Sequence, residues 1–124
     1  MDVWTPDRLR RLCLSFPAAV ERFPFSPEIS VFSVAGKMFA VSRLDEQPLA
    51  VSLKCAPEEA LHLRDTYPAV APGYHLNKRH WITVTLDGSL PDGLTVDLVH
   101  ESYDLVVAGL PKHRQPRLDD PSAQ

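Results

Sequence analysis

The sequence lacks the features that define several special classes of protein. No apolar run approaches the roughly 18 residues that a membrane-spanning helix needs. Residues 1–6 lack the basic and apolar segments of a secretory signal, so we expect a cytoplasmic protein with no membrane role. Only two cysteines occur, Cys13 and Cys55, without the close spacing of a zinc or redox motif. Buried free thiols in a reducing compartment are therefore expected, with a redox or metal role as the alternative.

Motifs that mark common enzyme classes are also missing. The sequence has no GxxxxGK[ST], GxGxxG, GxSxG or HExxH string. Two histidines, His75 and His80, lie close together, but no third nearby metal ligand and no nucleophile or orienting carboxylate accompanies them. We therefore predict no catalytic residue, no metal site and no cofactor, and we rank an enzyme third among the functional hypotheses.

The composition is that of one globular domain. The chain has 124 residues, of which 44% are hydrophobic and 23% charged. Its net charge of −3 argues against a strongly basic nucleic-acid-binding protein. However, residues 87–111 contain five acidic side chains and neither lysine nor arginine, so the rest of the chain can form a locally basic surface. The acidic run (Asp92, Asp97, Glu101 and Asp104) is interpreted as the solvated face of a helix, with a partner-binding surface as the alternative.

Three segments have the pattern of helices. Thr5-Pro6-Asp7 is typical of a helix start, with a hydroxyl cap and a first-position proline, and Pro17 ends that helix. A second helix is predicted from Pro57 to about Thr66, although Ala56 is a poor capping residue. A third is predicted from about Pro91 to Leu110.

Strand patterns fill most of the remaining chain. Alternating and β-branched stretches, with a tight turn at Ala35-Gly36, predict an antiparallel meander followed by a further strand closed by Asp87-Gly88. Residues 69–74 form either a loop or a short edge strand. The predicted strands cover residues 29–34, 38–41, 49–53 and 80–86.

The predicted order is α-β-β-β-α-β(-β)-α. Runs of strands separated from helices indicate an α+β two-layer domain, with an antiparallel sheet that carries the helices on one face. The domain is expected to span residues 1–111, and residues 112–124 are expected to form a flexible C-terminal tail. The opposite sheet face would remain partly open, which is where we expect a binding surface.

One stretch, residues 74–81, combines basic, imidazole, amide and aromatic side chains immediately before the last predicted strand. Lysine and arginine can hold phosphates, and an aromatic ring can stack on a base. The alternative is structural: a tryptophan at a strand start packs in the protein, and the polar side chains satisfy their own loop. The candidate nucleic-acid-binding residues are Lys54, His75, Asn77, Lys78, Arg79, His80 and Trp81.

Several strings resemble the MmcQ/YjbR family of small bacterial proteins. The resemblance runs from about Leu9 to Pro111 and rests on residues 50–54 (AVSLK), 75–81 (HLNKRHW), 86–92 (LDGSLPD), 102–103 (SY) and 110–111 (LP). It implies a two-layer α+β fold related to secretion-chaperone-like and frataxin-like (CyaY) topologies. It also implies DNA binding, under a "double-wing" label, and it supplies no catalytic residue.

Two functional hypotheses follow. The first is a non-enzymatic DNA-binding protein that uses the residue 74–81 region, with weak and salt-sensitive binding. The second is a protein-interaction or chaperone-like module that uses the sheet face or the acidic last helix and has no nucleic-acid role. The sequence makes no prediction of an oligomeric state.

Overall fold

A computed structural model describes residues 3–73, 76–91 and 93–116. The predicted α+β class is confirmed, since three helices accompany one antiparallel sheet. The helices are α1 (Pro6–Leu14), α2 (Pro57–Thr66) and α3 (Leu94–Ala108), and the strands are β1 (Ala19–Arg22), β2 (Ser30–Val34), β3 (Lys37–Ser42), β4 (Ala50–Lys54), β5 (Val70–Pro72) and β6 (Trp81–Thr85).

The six strands lie in the order β1-β2-β3-β4-β6-β5, and every neighbouring pair is antiparallel. The predicted turn between β2 and β3 forms at Ala35-Gly36, whose φ angles of 50° and 80° are both left-handed, as a type I′ hairpin turn requires. After β4 the chain passes through α2 to the edge strand β5, and β6 then returns between β5 and β4. This return places the segment that precedes β6 beside the end of β4.

All three helices cover the same face of the sheet. Residues of each helix join one core cluster with alternate residues of the strands, such as Phe32 and Val34 of β2. Ser33, between them, and Val31, before Phe32, point to the opposite face because successive strand side chains alternate. The sheet therefore has a helix-covered face and a face that no helix covers, as predicted.

A β-bulge joins the sheet to α3. The register shifts after Phe32, so that Phe39 of β3 is the additional residue. The Ser102 hydroxyl of α3 donates to the Phe39 carbonyl at 2.6 Å and accepts from the Lys54 amide at 2.8 Å. Ser102 is completely buried, so this single hydroxyl satisfies backbone groups of two strands and fixes the position of α3 over β3 and β4.

The structure contains one strand that the sequence pattern does not predict, β1 at the sheet edge. Its Glu21 faces the helices, where it pairs with Arg10 of α1 at 3.1 Å and accepts a hydrogen bond from Ser30 at 2.6 Å. This strand lies between prolines at positions 17 and 24 and spans only four residues, which leaves too little alternation to recognise.

Helix ends agree with the sequence at most positions. Thr5 caps α1, and its hydroxyl accepts from the Arg8 amide at 3.1 Å, whereas Ala56 provides no side-chain cap for α2. The third helix ends at Ala108 with Gly109 as its cap, close to the predicted end at Leu110, but it begins at Leu94, three residues later than Pro91. Among the described residues, no helix has the length and hydrophobicity needed to cross a bilayer.

Candidate nucleic-acid interface

The segment before β6 forms a turn that Asn77 organises. The Asn77 side-chain oxygen accepts from the Arg79 amide at 2.9 Å, and its carbonyl accepts from the Trp81 amide at 2.9 Å. The His80 carbonyl in turn accepts from the Cys55 amide at 2.8 Å, which ties the turn to the end of β4. Asn77 therefore acts in this structure as the structural alternative describes, and it holds the residues after it in one geometry.

The turn presents its cationic side chains to solvent. Lys78, Arg79 and His80 are all exposed. None of the ion pairs formed among the described residues involves Lys78 or Arg79. No described carboxylate pairs with these two exposed side chains, so both can contact an anion from solution.

Lys54 lies beside this turn on the open face. In the register of β4 and β6, Lys54 is directly opposite Trp81, so both side chains lie on the same side of the sheet. The structure thus brings Lys54 to the turn that carries Lys78 and Arg79. We use "basic turn" for residues Asn77–His80 and "loop end" for the sheet end where this turn meets Lys54.

Trp81 itself is buried, with 8% of its surface exposed, and it lies outside the main core cluster. Gly73 of the neighbouring chain segment lies against it: a Cβ at Gly73 would be 2.6 Å from the Trp81 Cβ. The Gly73 amide also donates to the Trp81 carbonyl at 2.9 Å. This placement supports the structural alternative for Trp81, because a ring covered to this extent offers little area for stacking on a base.

The remaining candidate is His75, which lies outside the described residues together with Tyr74. Of the acidic run, Asp92 is also outside them. The other three acidic residues, Asp97, Glu101 and Asp104, lie exposed on α3, as predicted for a solvated helix face.

Charge is distributed unevenly between the two faces. The strand pairings place thirteen described residues on the open face, and these include two cations and no carboxylate: Val20, Arg22, Val31, Ser33, Met38, Val41, Ala50, Ser52, Lys54, Ala71, Trp81, Thr83 and Thr85. On the helical side, partial burial, and after it the hydrogen bond and negative charge of Glu59, raise the pKa of Glu101. Carboxylates are therefore crowded on the helices and absent from the strands of the open face.

The cysteines are free and buried, as expected. Burial, followed by the charge of Glu21, raises the pKa of Cys13 to about 12. Burial, followed by the charges of Glu59 and Glu101, raises the pKa of Cys55 to about 12. Neither thiol is therefore a ready nucleophile at neutral pH. Across residues 3–73, 76–91 and 93–116, no three His, Cys, Asp or Glu side chains are placed to hold a metal ion.

Sequence reasoning missed one group of residues, at and after β1. Arg22 lies on the open face, and Phe23 and Phe25 follow it with 52% and 60% of their surfaces exposed. An arginine followed by two exposed aromatic rings is a composition suited to nucleic-acid contacts. The signal was available as the string RFPF, but without β1 it could not be assigned to a face.

Comparisons with known proteins identify relatives of similar length. The family model described as YjbR matches residues 14–105. The protein YjbR of Escherichia coli K12 is 39% identical over 111 residues, covering 90% of this chain and 94% of its own. The protein YbdF of Escherichia coli O157:H7 is 38% identical over 109 residues, covering 88% and 89%. Both relatives are described as uncharacterized proteins.

A solved structure shares the fold. The crystal structure of Deinococcus radiodurans protein DR2400, with a domain described as DUF419, has a TM-score of 0.84 and 41% sequence identity, covering 97% of this chain and 91% of that one. A protein from Pseudomonas syringae has a TM-score of 0.61 and 30% identity, covering 70% and 86%. The family model and these relatives together show that the chain belongs to the YjbR family.

Proposed function

We propose that this protein binds nucleic acid, without catalysis, through the basic turn and the adjacent open face of the sheet. The observation that carries the proposal is the state of Lys78 and Arg79: both are exposed, unpaired among the described residues, and mounted on a turn that Asn77 holds in place. Cations on a preorganised turn lose less conformational freedom when they meet phosphates than cations on a mobile chain.

The surrounding charge supports the same face. Lys54 and Arg22 lie on the open face, where the strands contribute no carboxylate, while Glu59 and Glu101 lie on the helical side. A phosphate backbone approaching the open face would therefore be attracted by the strands and repelled by the helices, which orients the protein. The net charge of −3 limits the effect to a local, moderate one.

The proposal places stacking on residues other than Trp81. Because Trp81 is 8% exposed, we assign it to supporting the turn from beneath. Phe23 and Phe25 are the exposed rings on the β1 side of the sheet, next to Arg22. Contacts to a single strand of nucleic acid would combine phosphates at the basic turn with bases at these rings.

The test is binding of a fluorescent oligonucleotide, single-stranded and duplex, to wild type and to Lys78→Ala/Arg79→Ala. We expect at least about tenfold weaker binding by the double variant at low salt, from the loss of two phosphate contacts. Arg11→Ala/Arg64→Ala is the matched control, since it removes the same charge from α1 and α2 on the helical side. Equal weakening by both double variants, or no binding by wild type at low salt, would reject the proposal.

A protein-interaction role is the second candidate, and the crowding of carboxylates on α2 and α3 favours it. Burial, then the hydrogen bond and charge of Glu59, then the charges of Asp97 and Asp104 raise the pKa of Glu101, and a cationic partner would favour its ionised form. Asp97→Lys/Glu101→Lys should then abolish capture of a partner that wild type retains. A partner that still binds this variant would exclude the acidic face.

A further inference from the structure

A cavity of about 390 Å³ lies at the end of the sheet opposite the basic turn. It is bounded by the start of α1, the segment before β4, the segment after β6 and the start of α3. Ala50 of β4 pairs with Thr85 of β6 near this cavity, four residues along each strand from the Lys54–Trp81 pair, or about 13 Å. Its volume falls in the range of small-molecule sites. The lining residues used below are Trp4, Arg8, Asp87, Gly93 and Thr95.

Arg8 lines this cavity and carries one buried guanidinium nitrogen without a partner among the described residues. Its guanidinium carbon lies 3.8 Å from the centre of the Trp4 ring, so one face of the group is covered by the indole. The Nη1 atom is buried and has no hydrogen-bond partner within the described part of the chain. A guanidinium is charged at every accessible pH, and a buried N–H without an acceptor costs free energy. No described residue supplies an acceptor for this nitrogen.

The start of α3 adds neutral donors to the same cavity. Gly93 occupies the cap position and offers no side chain to accept from the amides of the first turn. Thr95, in that turn, is 4% exposed and lines the cavity, and its hydroxyl makes no hydrogen bond with any described residue. The helix dipole places partial positive charge at this point. A cation, a buried hydroxyl and a helix start thus line one cavity.

We propose that this cavity binds a small molecule through an oxyanion group, a phosphate or a carboxylate, held between Arg8 and the first turn of α3. A planar guanidinium matches the paired oxygens of either group, and the amides at a helix N-terminus donate hydrogen bonds to either group. The Trp4 ring beside it provides an apolar wall for the remainder of the ligand. This site is separate from the proposed nucleic-acid interface and uses none of its residues.

Asp87 at the rim limits the charge that the site tolerates. Its Oδ1 atom accepts a hydrogen bond from the Ser89 amide at 3.0 Å. The hydrogen bond from the Ser89 side chain, and after it the one from the Ser89 amide, lower the pKa of Asp87. The carboxylate is therefore ionised at neutral pH. An anion entering the cavity meets this like charge. Asp87→Asn keeps the oxygen that accepts from Ser89 and removes the charge, so it should tighten oxyanion binding by about two- to fivefold.

The experiment is titration of the isotope-labelled full chain with inorganic phosphate and, in a second series, with acetate, each at constant ionic strength against chloride. Saturating amide shifts at residues 94–96 and at the Arg8 side chain are expected with at least one anion, and the series that saturates identifies the group. Arg8→Gln should weaken binding at least about tenfold. Thr95→Val, nearly the same shape, should weaken it about threefold or more without altering the rest of the spectrum.

Arg11→Ala is the matched control, because Arg11 lies three residues further along α1, is exposed, and faces Asp7 at 3.5 Å. It should bind the anion as wild type does. No saturation with either anion, or wild-type affinity in both Arg8→Gln and Thr95→Val, would overturn the inference. Arg8→Gln should leave oligonucleotide binding unchanged. Lys78→Ala/Arg79→Ala should leave phosphate or acetate binding unchanged. Each proposal can therefore fail without the other. If Arg8→Gln weakened oligonucleotide binding as well as anion binding, the cavity would not be a separate small-molecule site.

Discussion

The two ends of strands β4 and β6 hold their cations in opposite physical states. At the loop end, Lys78 and Arg79 are exposed and hydrated on a turn. At the cavity end, Arg8 is stacked under Trp4, and one guanidinium nitrogen is buried with no partner among the described residues. The same strands therefore link two different surroundings. One is a surface whose exposed cations attract anions through solvent, and the other is a cavity beside a guanidinium that is partly buried in the folded protein.

This difference implies two kinds of anion recognition. An exposed cation keeps its water, gives a modest contribution per contact, and is screened by salt. A partly desolvated cation has already lost some hydration in the folded protein, so less hydration is lost when an anion binds beside it. The loop end thus suits an extended polyanion, and the cavity end suits one small group of defined shape.

The two ends should also differ in how much the fold depends on their tryptophans. Trp81→Ala truncates a residue that is only 8% exposed, and we expect a loss of about 3–5 kcal/mol in the free energy of unfolding. Trp4→Ala removes a half-buried ring that contacts the core and Arg8, with an expected loss of about 1–2 kcal/mol. Denaturant unfolding of both variants tests this order. Equal losses would show that the cavity end is packed as firmly as the loop end.

Ser102 anchors the loop end to α3 and gives a second, smaller effect. Ser102→Ala leaves the Phe39 carbonyl and the Lys54 amide without their buried partner, which should cost about 1–3 kcal/mol. Ser33→Ala is the matched control, because the Ser33 hydroxyl is equally enclosed and makes no hydrogen bond with any described residue. It should leave stability unchanged or slightly higher. A similar loss in both variants would mean that Ser102 contributes through packing rather than through its hydrogen bonds.

The sequence predicted what local patterns encode. Thr5-Pro6-Asp7 starts α1, and Ala35-Gly36 turns the chain between β2 and β3, because capping and left-handed turns depend on a few adjacent residues. The start of α3 was placed too early because Pro91 is an acceptable first helical residue, whereas the helix begins only after Gly93. Strand β1 has four residues and too little pattern to be recognised.

The candidate site was predictable only as a segment. The string around Lys78 and Arg79 is basic in the sequence, and the structure places Lys54 beside it because β4 pairs with β6. The burial of Trp81 could not be read from alternation, since it depends on where Gly73 crosses. The cavity of Arg8 and Thr95 joins two helix starts from opposite ends of the chain, so only the tertiary structure brings them together.

The two ends should differ in how strongly added salt weakens binding. Oligonucleotide binding that uses about three cations should weaken roughly 15- to 60-fold between about 50 and about 200 mM salt, from a logarithmic slope of about −2 to −3. Phosphate or acetate binding at the cavity involves one partly buried guanidinium and should change less than about threefold over the same range. Binding isotherms at matched salt concentrations provide the measurement. Equal slopes at both ends would remove the physical distinction between them.

The smallest predicted effect is on the pH dependence of the free energy of unfolding, and it comes from one carboxylate near each end. The folded-state pKa of Glu101 lies above its ordinary value of 4.5, so its ionised form is disfavoured by folding, and the penalty is complete at neutral pH and disappears below pH 4.5. Glu101→Gln should therefore stabilise the protein near neutral pH, by less than about 1 kcal/mol because the group is mostly exposed, and lose this advantage in acid.

Asp87 at the cavity end should behave with the opposite sign. Its folded-state pKa is lowered from 3.8, so the ionised carboxylate favours folding above that pH, and the contribution is lost as the pH falls through the folded value. Asp87→Asn should consequently give no stabilisation at neutral pH, even though it tightens anion binding. Unfolding of both variants at neutral and acidic pH tests the pair. Stabilisation by Asp87→Asn at neutral pH would mean that the cavity, like the acidic helical face, holds a carboxylate in repulsion, and would weaken the case for an anion beside it.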